Sequence, residues 1–226
     1  MRDLDAFLKH LKCQDVEPGT IVDVGTCYGT PPLYNQFPNA YHIFVEPNPS
    51  FEERLKLLCN KFDGEYHLVA LSDERGVLQF EINSAKPELG TLGIGSKFGG
   101  TTGDQYKFIK VETKTLDDLI DGRDLPKPML LKTDCQGYDR NVLLGGIRCL
   151  SSFEVVIAEA NVFHISDEQA TPVIADVVGT MKSMGFEVYD ILTYSQRPLD
   201  DALGYLDIAF INRNSILWSK HGWSNT

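Results

Sequence analysis

The sequence predicts an α/β fold: a mainly parallel, Rossmann-like sheet with helices on both faces, antiparallel closing strands and a small β-hairpin insertion. Three observations predict it. Buried-looking apolar runs alternate with segments of helical period along most of the chain. Several of those runs end in an acid beside a glycine turn, as strands do when they deliver ligand-binding groups to one edge of a parallel sheet. Two pairs of segments, one central and one near the C-terminus, instead have the period of two and the spacing of antiparallel neighbours.

Leu4, Phe7, Leu8 and Leu11 fall at helical spacing, so a short N-terminal helix is expected within residues 1–17, closed by Pro18-Gly19. A strand over 21–26 and another over 41–46 follow, with Thr30 as helix cap and Pro31 at the first helical position between them. Pro49-Ser50 opens a helix through Leu55 and Leu58, and 66–71 reads as one strand. Segments 77–82 and 107–112 alternate and are expected to pair. Between them, residues 84–106 carry six glycines with no sustained period, which suggests a lid over the acceptor site or else a flexible surface loop. Met129–Asp134 and Val155–Glu159 are buried strands, with a helix through Val142, Leu143 and Ile147 between them. A helix from about Thr171 to Met184 has Pro172 in its first turn and Gly185 at its end. Segments 186–192 and 205–211 close the sheet.

The chain of 226 residues reads as one domain, large enough to bury a core without staples. A net charge of −11 disfavours a nucleic-acid partner, whose phosphates demand lysine and arginine. A small-molecule or glycan acceptor is easier to accommodate. The odd count of five cysteines, without C-x-x-C spacing, points to reduced thiols and a cytoplasmic setting. No apolar run approaches membrane-spanning length, so no membrane partner is expected.

The strand ends suggest a cofactor. Asp23 and Gly25, with Thr26 and Gly29 in the same turn, stand where a nucleoside's tail would lie, and Glu46-Pro47 ends the next strand where a carboxylate can accept hydrogen bonds from both ribose hydroxyls. The glycine spacing is G-x-x-x-G, not the G-x-G-x-x-G of pyrophosphate binders, and Pro31 and Pro32 remove two amides that a pyrophosphate would need. A cationic sulfonium with a zwitterionic tail tolerates acids at this turn, and S-adenosylmethionine is such a ligand.

Lys132-Thr133-Asp134-Cys135-Gln136-Gly137-Tyr138-Asp139 resembles the hallmark K-I-D-V-E-G-x-E of the FkbM-type methyltransferase family. Asp23-Val24-Gly25, Val45-Glu46-Pro47, Ala70-Leu71-Ser72-Asp73 with Gly76, and Thr115-Leu116-Asp117-Asp118-Leu119 match the same family in order, over roughly residues 17–212. The resemblance implies a class I S-adenosylmethionine-dependent fold and methyl transfer to a hydroxyl oxygen of a sugar, polyketide or similar natural product. It also implies adenine contacts at Leu71 and Ser72. Gln136 and Asp139 depart from the hallmark, where the family has glutamates, while Lys132 and Asp134 carry over unchanged.

Methyl transfer to oxygen needs alignment and a base for the acceptor proton. Asp134 is the first candidate: it can hold the cofactor's ammonium, act as base, or ligate a divalent ion, or simply cap the next helix. Glu159 and Asn161 would complete an oxygen set suited to Mg²⁺ or Mn²⁺. Lys132 and His164 complete the catalytic candidates, His164 because its ordinary pKa suits proton removal near neutrality. Cys27 and Cys135 fall in turns facing the expected pocket, where small size is their simplest role. Phe98, Tyr106, Tyr138, Phe163 and Tyr194 are candidate acceptor-lining aromatics. Two other readings are open: a methyltransferase-like binding module, perhaps one domain of a larger glycan-assembling protein, and a nucleotide-dependent sugar-modifying oxidoreductase. Against the latter stands the missing G-x-G-x-x-G.

Overall fold

Strand-end chemistry is organised by a seven-stranded sheet in the computed structural model, which describes residues 2–92, 106–164 and 171–219. In chain order the elements are α1 (Leu4–Cys13), β1 (Thr20–Val24), α2 (Pro31–Gln36), β2 (Tyr41–Val45), α3 (Glu52–Lys61), β3 (Gly64–His67), β4 (Ala70–Leu71), β5 (Gly76–Asn83) and β6 (Thr91–Leu92). They continue with β7 (Tyr106–Lys114), α4 (Leu116–Ile120), β8 (Met129–Thr133), α5 (Asp139–Leu144), β9 (Phe153–Asn161), α6 (Ile174–Ser183), β10 (Phe186–Gln196) and β11 (Leu203–Asn212).

The main sheet runs β3-β2-β1-β8-β9-β11-β10, parallel throughout except for β11, which is antiparallel to both its neighbours. The order reverses between β1 and β8, the switch point at which open α/β sheets leave a crevice at their carboxyl ends. Period-two alternation distributes the core. Ile21, Phe44, Leu130 and Val155 pack against Phe7, Leu11, Leu33 and Leu55 of α1–α3, whereas Val22, Ile43, Leu131 and Val156 pack against Leu119, Leu143 and Met181 of α4–α6. Each central strand is thus buried on both faces, which is why it reads as a continuous apolar run.

The two central alternating segments pair as expected, Val77 opposite Glu112 and Phe80 opposite Ile109. The insertion is larger than a hairpin: β4-β7-β5-β6 form a four-stranded sheet around Ala70, Phe80 and Val111. The expected strand 66–71 is two strands, since β3 stays in the main sheet while β4 crosses to the small one. The helix assigned to 171–184 begins at Ile174, where the Val173 N–H donates to the Asp176 carboxylate at 2.9 Å, so Pro172 lies ahead of it. The N-terminal helix ends at Cys13, before Pro18, because Asp15 takes a positive φ of 60°. Likewise α5 stops at Leu144, three residues before the exposed Ile147. No helix among the described residues is long and apolar enough to cross a membrane.

Candidate active site

The ends of β1 and β8 are pinned to one another. The Asp134 N–H donates to the Val24 carbonyl at 3.0 Å, and Gly25 turns with φ of 78° so close to β8 that a Cβ on it would stand 2.0 Å from the Asp134 carbonyl oxygen. Only glycine meets both demands. Gly25 and Thr26 then donate their N–H groups to the Val45 carbonyl at 2.9 and 3.1 Å, and the Gly29 N–H closes the turn on the Thr26 carbonyl. Thr26 is 2% exposed and serves this backbone, its hydroxyl donating to the Asp23 carbonyl at 2.7 Å.

Beside this turn lies a cleft of about 520 Å³, partly open to solvent. It is lined by Val24, Gly25, Val45, Glu46 and Pro47 from the ends of β1 and β2, by the apolar Phe51, Val69, Ala70 and Leu71, and by Asp134, Cys135 and Gln136 from the turn after β8. The remaining wall comes from the inserted sheet, as Phe80, Pro87, Glu88, Gly90 and Leu92. Glu46 is buried, its Oε2 accepting the Cys27 N–H at 2.9 Å and its Oε1 the Asn48 N–H at 2.8 Å. Burial pushes its carboxyl up to about 7; the two amides oppose that shift, and Asp23 and Asp134 add to it.

Asp23 does not line the cleft. It shares a face with Ile21, is 1% exposed, and accepts hydrogen bonds at Oδ2 from Tyr34 and from Thr30, the latter at 3.0 Å. Thr30 therefore caps no amide of α2 with its side chain, contrary to expectation. Lys132, opposite Asp23 across the β1–β8 pair, places its Nζ 3.8 Å from Asp23 Oδ1 and 3.5 Å from Asp134 Oδ2. Burial works against the Lys132 charge, but Asp134, Asp23 and Asp207 outweigh it and hold the ammonium above its ordinary range. Lys132 is a fixed cation, not a proton acceptor.

The hallmark departures acquire physical roles. Gln136 lines the cleft and donates from Nε2 to Asp134 Oδ1 at 3.0 Å, a bond an ionised glutamate could not make. Asp139, 2% exposed, accepts the N–H groups of Cys135 at 3.2 Å and Gly137 at 3.3 Å, stitching the turn ahead of α5.

Other expected site residues are dispersed. Leu71 and Pro47 line the cleft, while Ser72 is 2% exposed and donates its hydroxyl to Asp73 at 2.9 Å. Glu159 and Asn161 are buried at the end of β9, and Asp207 of β11 stands opposite Glu159. Among the described residues no group of three His, Cys, Asp or Glu side chains is arranged to hold a metal ion. Asp134 is already engaged by an ammonium and an amide, so this set does not fit a divalent cation and no step is routed through one. His164 is exposed, a ring nitrogen 2.7 Å from the Thr171 carbonyl oxygen, and does not line the cleft. Of the lid segment, 93–105 lie outside the described residues, Phe98 among them. Of its first part, Pro87, Glu88, Gly90 and Leu92 line the cleft of Glu46. Of the other candidate aromatics, Phe163 and Tyr194 are exposed, and neither they nor Tyr138 line the cleft. Cys27 and Cys135 do line it; burial raises both thiols, Cys27 to about 12, so neither is a ready nucleophile. Glu88, Phe80 and Asp207 went unread in the sequence; alternation in β5 marks Phe80 as inward, but nothing local marks the other two.

Comparison with known proteins follows this geometry. Solved structures with a similar chain course include the N-methyltransferase NodS from Bradyrhizobium japonicum WM9, at 8% identity over 92% of this chain and 93% of that one, TM-score 0.49. Precorrin-6y C5,15-methyltransferase from Geobacter metallireducens GS-15 aligns at 13% identity over 91% and 84%, TM-score 0.44. Fibrillarin from Aeropyrum pernix, in complex with natively bound S-adenosyl-L-methionine, aligns at 12% over 85% and 67%, TM-score 0.41. No curated protein matches the chain in sequence. The model of the methyltransferase FkbM domain matches residues 23–188, most of the chain and both pinned strand ends. The chain therefore belongs to the FkbM methyltransferase family and is an S-adenosylmethionine-dependent methyltransferase.

Proposed function

We propose that this chain transfers a methyl group to a hydroxyl oxygen of a sugar, glycan or related natural product. The observation that carries the proposal is a single one: Glu46 and Asp134, the carboxylates that follow β2 and β8, line one cleft, so a nucleoside whose ribose is held by the first can present its reactive group to the second. When bound, S-adenosylmethionine supplies the electrophilic methyl carbon, and the protein's task is alignment and proton removal. Glu46 accepts the ribose hydroxyls. Phe51, Val69, Leu71, Phe80 and Leu92 offer an apolar slot for the adenine.

Asp134 takes the acceptor proton. Its side chain is 38% exposed, the most open carboxylate of its network, and Gln136 and Lys132 hold its two oxygens in place. Lys132, staying charged, offsets the negative charge of the acceptor oxygen as the proton leaves. His164 is the alternative base and would need to leave its bond to Thr171. Five free cysteines favour a reducing, cytoplasmic setting, and association with a larger glycan-assembling protein would present the acceptor.

Calorimetry with S-adenosylmethionine, followed by detection of S-adenosylhomocysteine across matched panels of hydroxyl and amine acceptors, tests the proposal. Product formation with polyol or glycoside acceptors is expected. Methylation confined to amines, or tight cofactor binding with no product from any hydroxyl, overturns it, the latter in favour of a binding module.

A further inference from the structure

Among the described residues three carboxylates line the cleft, Glu46, Glu88 and Asp134, and no Lys, Arg or His does. They converge on one place: all three are near enough to the Cys27 thiol to disfavour its ionisation. The nearest buried cation, Lys132, stands behind Asp134 and is shared with Asp23. The described lining of the cleft is therefore acidic, with its one neighbouring ammonium shared between two carboxylates. Asp134 and Glu46 belong to the strand ends and have partners there. Glu88 is different. It comes from the short 3₁₀ turn Pro87–Leu89 of the inserted sheet, it is exposed at the cleft's rim, and no element of the main sheet requires an acid there.

Resting on the cofactor reading above, we propose that Glu88 is a specificity residue that reads ligand charge, making the cleft prefer the cationic methyl donor over its neutral demethylated product. S-adenosylmethionine and S-adenosylhomocysteine share every recognition group except the methyl and the positive charge on sulfur. Contacts to adenine, ribose and the amino-acid tail cannot separate them, whereas a field at the sulfur can. A carboxylate across a partly solvated gap is worth about three- to tenfold in such a preference, by Coulomb attraction at intermediate dielectric. The consequence is functional: product leaves because the interaction that favoured the substrate disappears when the methyl group departs.

The test compares dissociation constants of S-adenosylhomocysteine and of sinefungin, a stable analogue with an ammonium-bearing carbon at the sulfonium position. Both are measured by calorimetry on the full chain, in wild type, Glu88→Gln and Glu17→Gln. The last removes the same charge from an exposed position ahead of the N-terminal end of β1, outside the cleft lining. Wild type should favour sinefungin, Glu88→Gln should reduce that preference about three- to tenfold with S-adenosylhomocysteine affinity nearly unchanged, and Glu17→Gln should leave it unaltered. Raising salt should shrink the wild-type preference and leave that of Glu88→Gln flat. An unchanged ratio in Glu88→Gln, or an equal fall in both variants, overturns the inference alone. Failure of both ligands to bind wild type overturns the cofactor reading and this inference with it.

Discussion

The turns that follow β1 and β8 are built alike and end differently. Both use left-handed residues, Gly25, Cys27 and Gly29 in one and Gln136 and Gly137 in the other, and both surrender amides to a carboxylate. In the first turn that carboxylate is Glu46, brought from the neighbouring strand and left lining the cleft. In the second it is Asp139, from the helix that follows, wholly enclosed by its own turn. The acid facing the cleft from the second turn is Asp134, tethered by side chains and backed by an ammonium. One turn thus presents a carboxylate held by backbone, suited to a ligand that stays put. The other presents a carboxylate held by a lysine and a glutamine, suited to a proton that moves.

That contrast can be broken most severely at Asp134. Asp134→Asn is expected to lower turnover by about 100- to 10,000-fold, the usual worth of a positioned base, with cofactor affinity changed little; steady-state kinetics beside calorimetry check it. Equal losses in binding and turnover would return Asp134 to the cofactor half. Gln136→Glu is milder and sharpens the same point. It replaces an amide donor 3.0 Å from Asp134 with a like charge, so the bond that fixes Asp134 Oδ1 is lost. Turnover should fall about tenfold with cofactor affinity nearly unchanged, read by steady-state kinetics beside calorimetry. Unaltered turnover would mean that Gln136 shapes the turn without positioning its neighbour.

The smallest effect belongs to Glu46. Its carboxyl lies at about 7 in the fold, above its ordinary 4.5, and ribose hydroxyls donate best to the ionised form. Cofactor affinity should therefore rise about fourfold from about pH 6.5 to about pH 8, and Glu46→Gln should abolish the slope, read by calorimetry. The apo protein runs the opposite way. A folded-state value raised above the unfolded one contributes stability fully present below about 4.5 and lost as pH rises through about 7. Ligand binding and bare stability thus favour opposite ends of one window, and melting curves with and without cofactor should diverge across it.

Much of this frame was legible because strand ends announce themselves. An apolar run, an acid and a glycine in succession located both pinned turns, and the alternating segments located the inserted pair. The burial of Asp23 was legible in principle: Ile21 and Asp23 are two apart and so share a face, the one packed on α1–α3. Acid at a strand end suggested ligand, but the period of two said interior. The split at residues 68–69 and the cleft wall from 87–92 carry no such local mark. Both depend on where the small sheet docks, which is decided by packing between segments distant in sequence.

That docking has a consequence for ligand traffic. Phe80, Pro87, Glu88, Gly90 and Leu92 of the cleft lining belong to the inserted segment, whose core is Ala70, Phe80 and Val111, while Val24 and Val45 are rooted in an extensive core of the main sheet. The smaller core is expected to open at lower free energy. If the cleft holds the cofactor as proposed, the inserted wall is the side expected to yield when it enters or leaves.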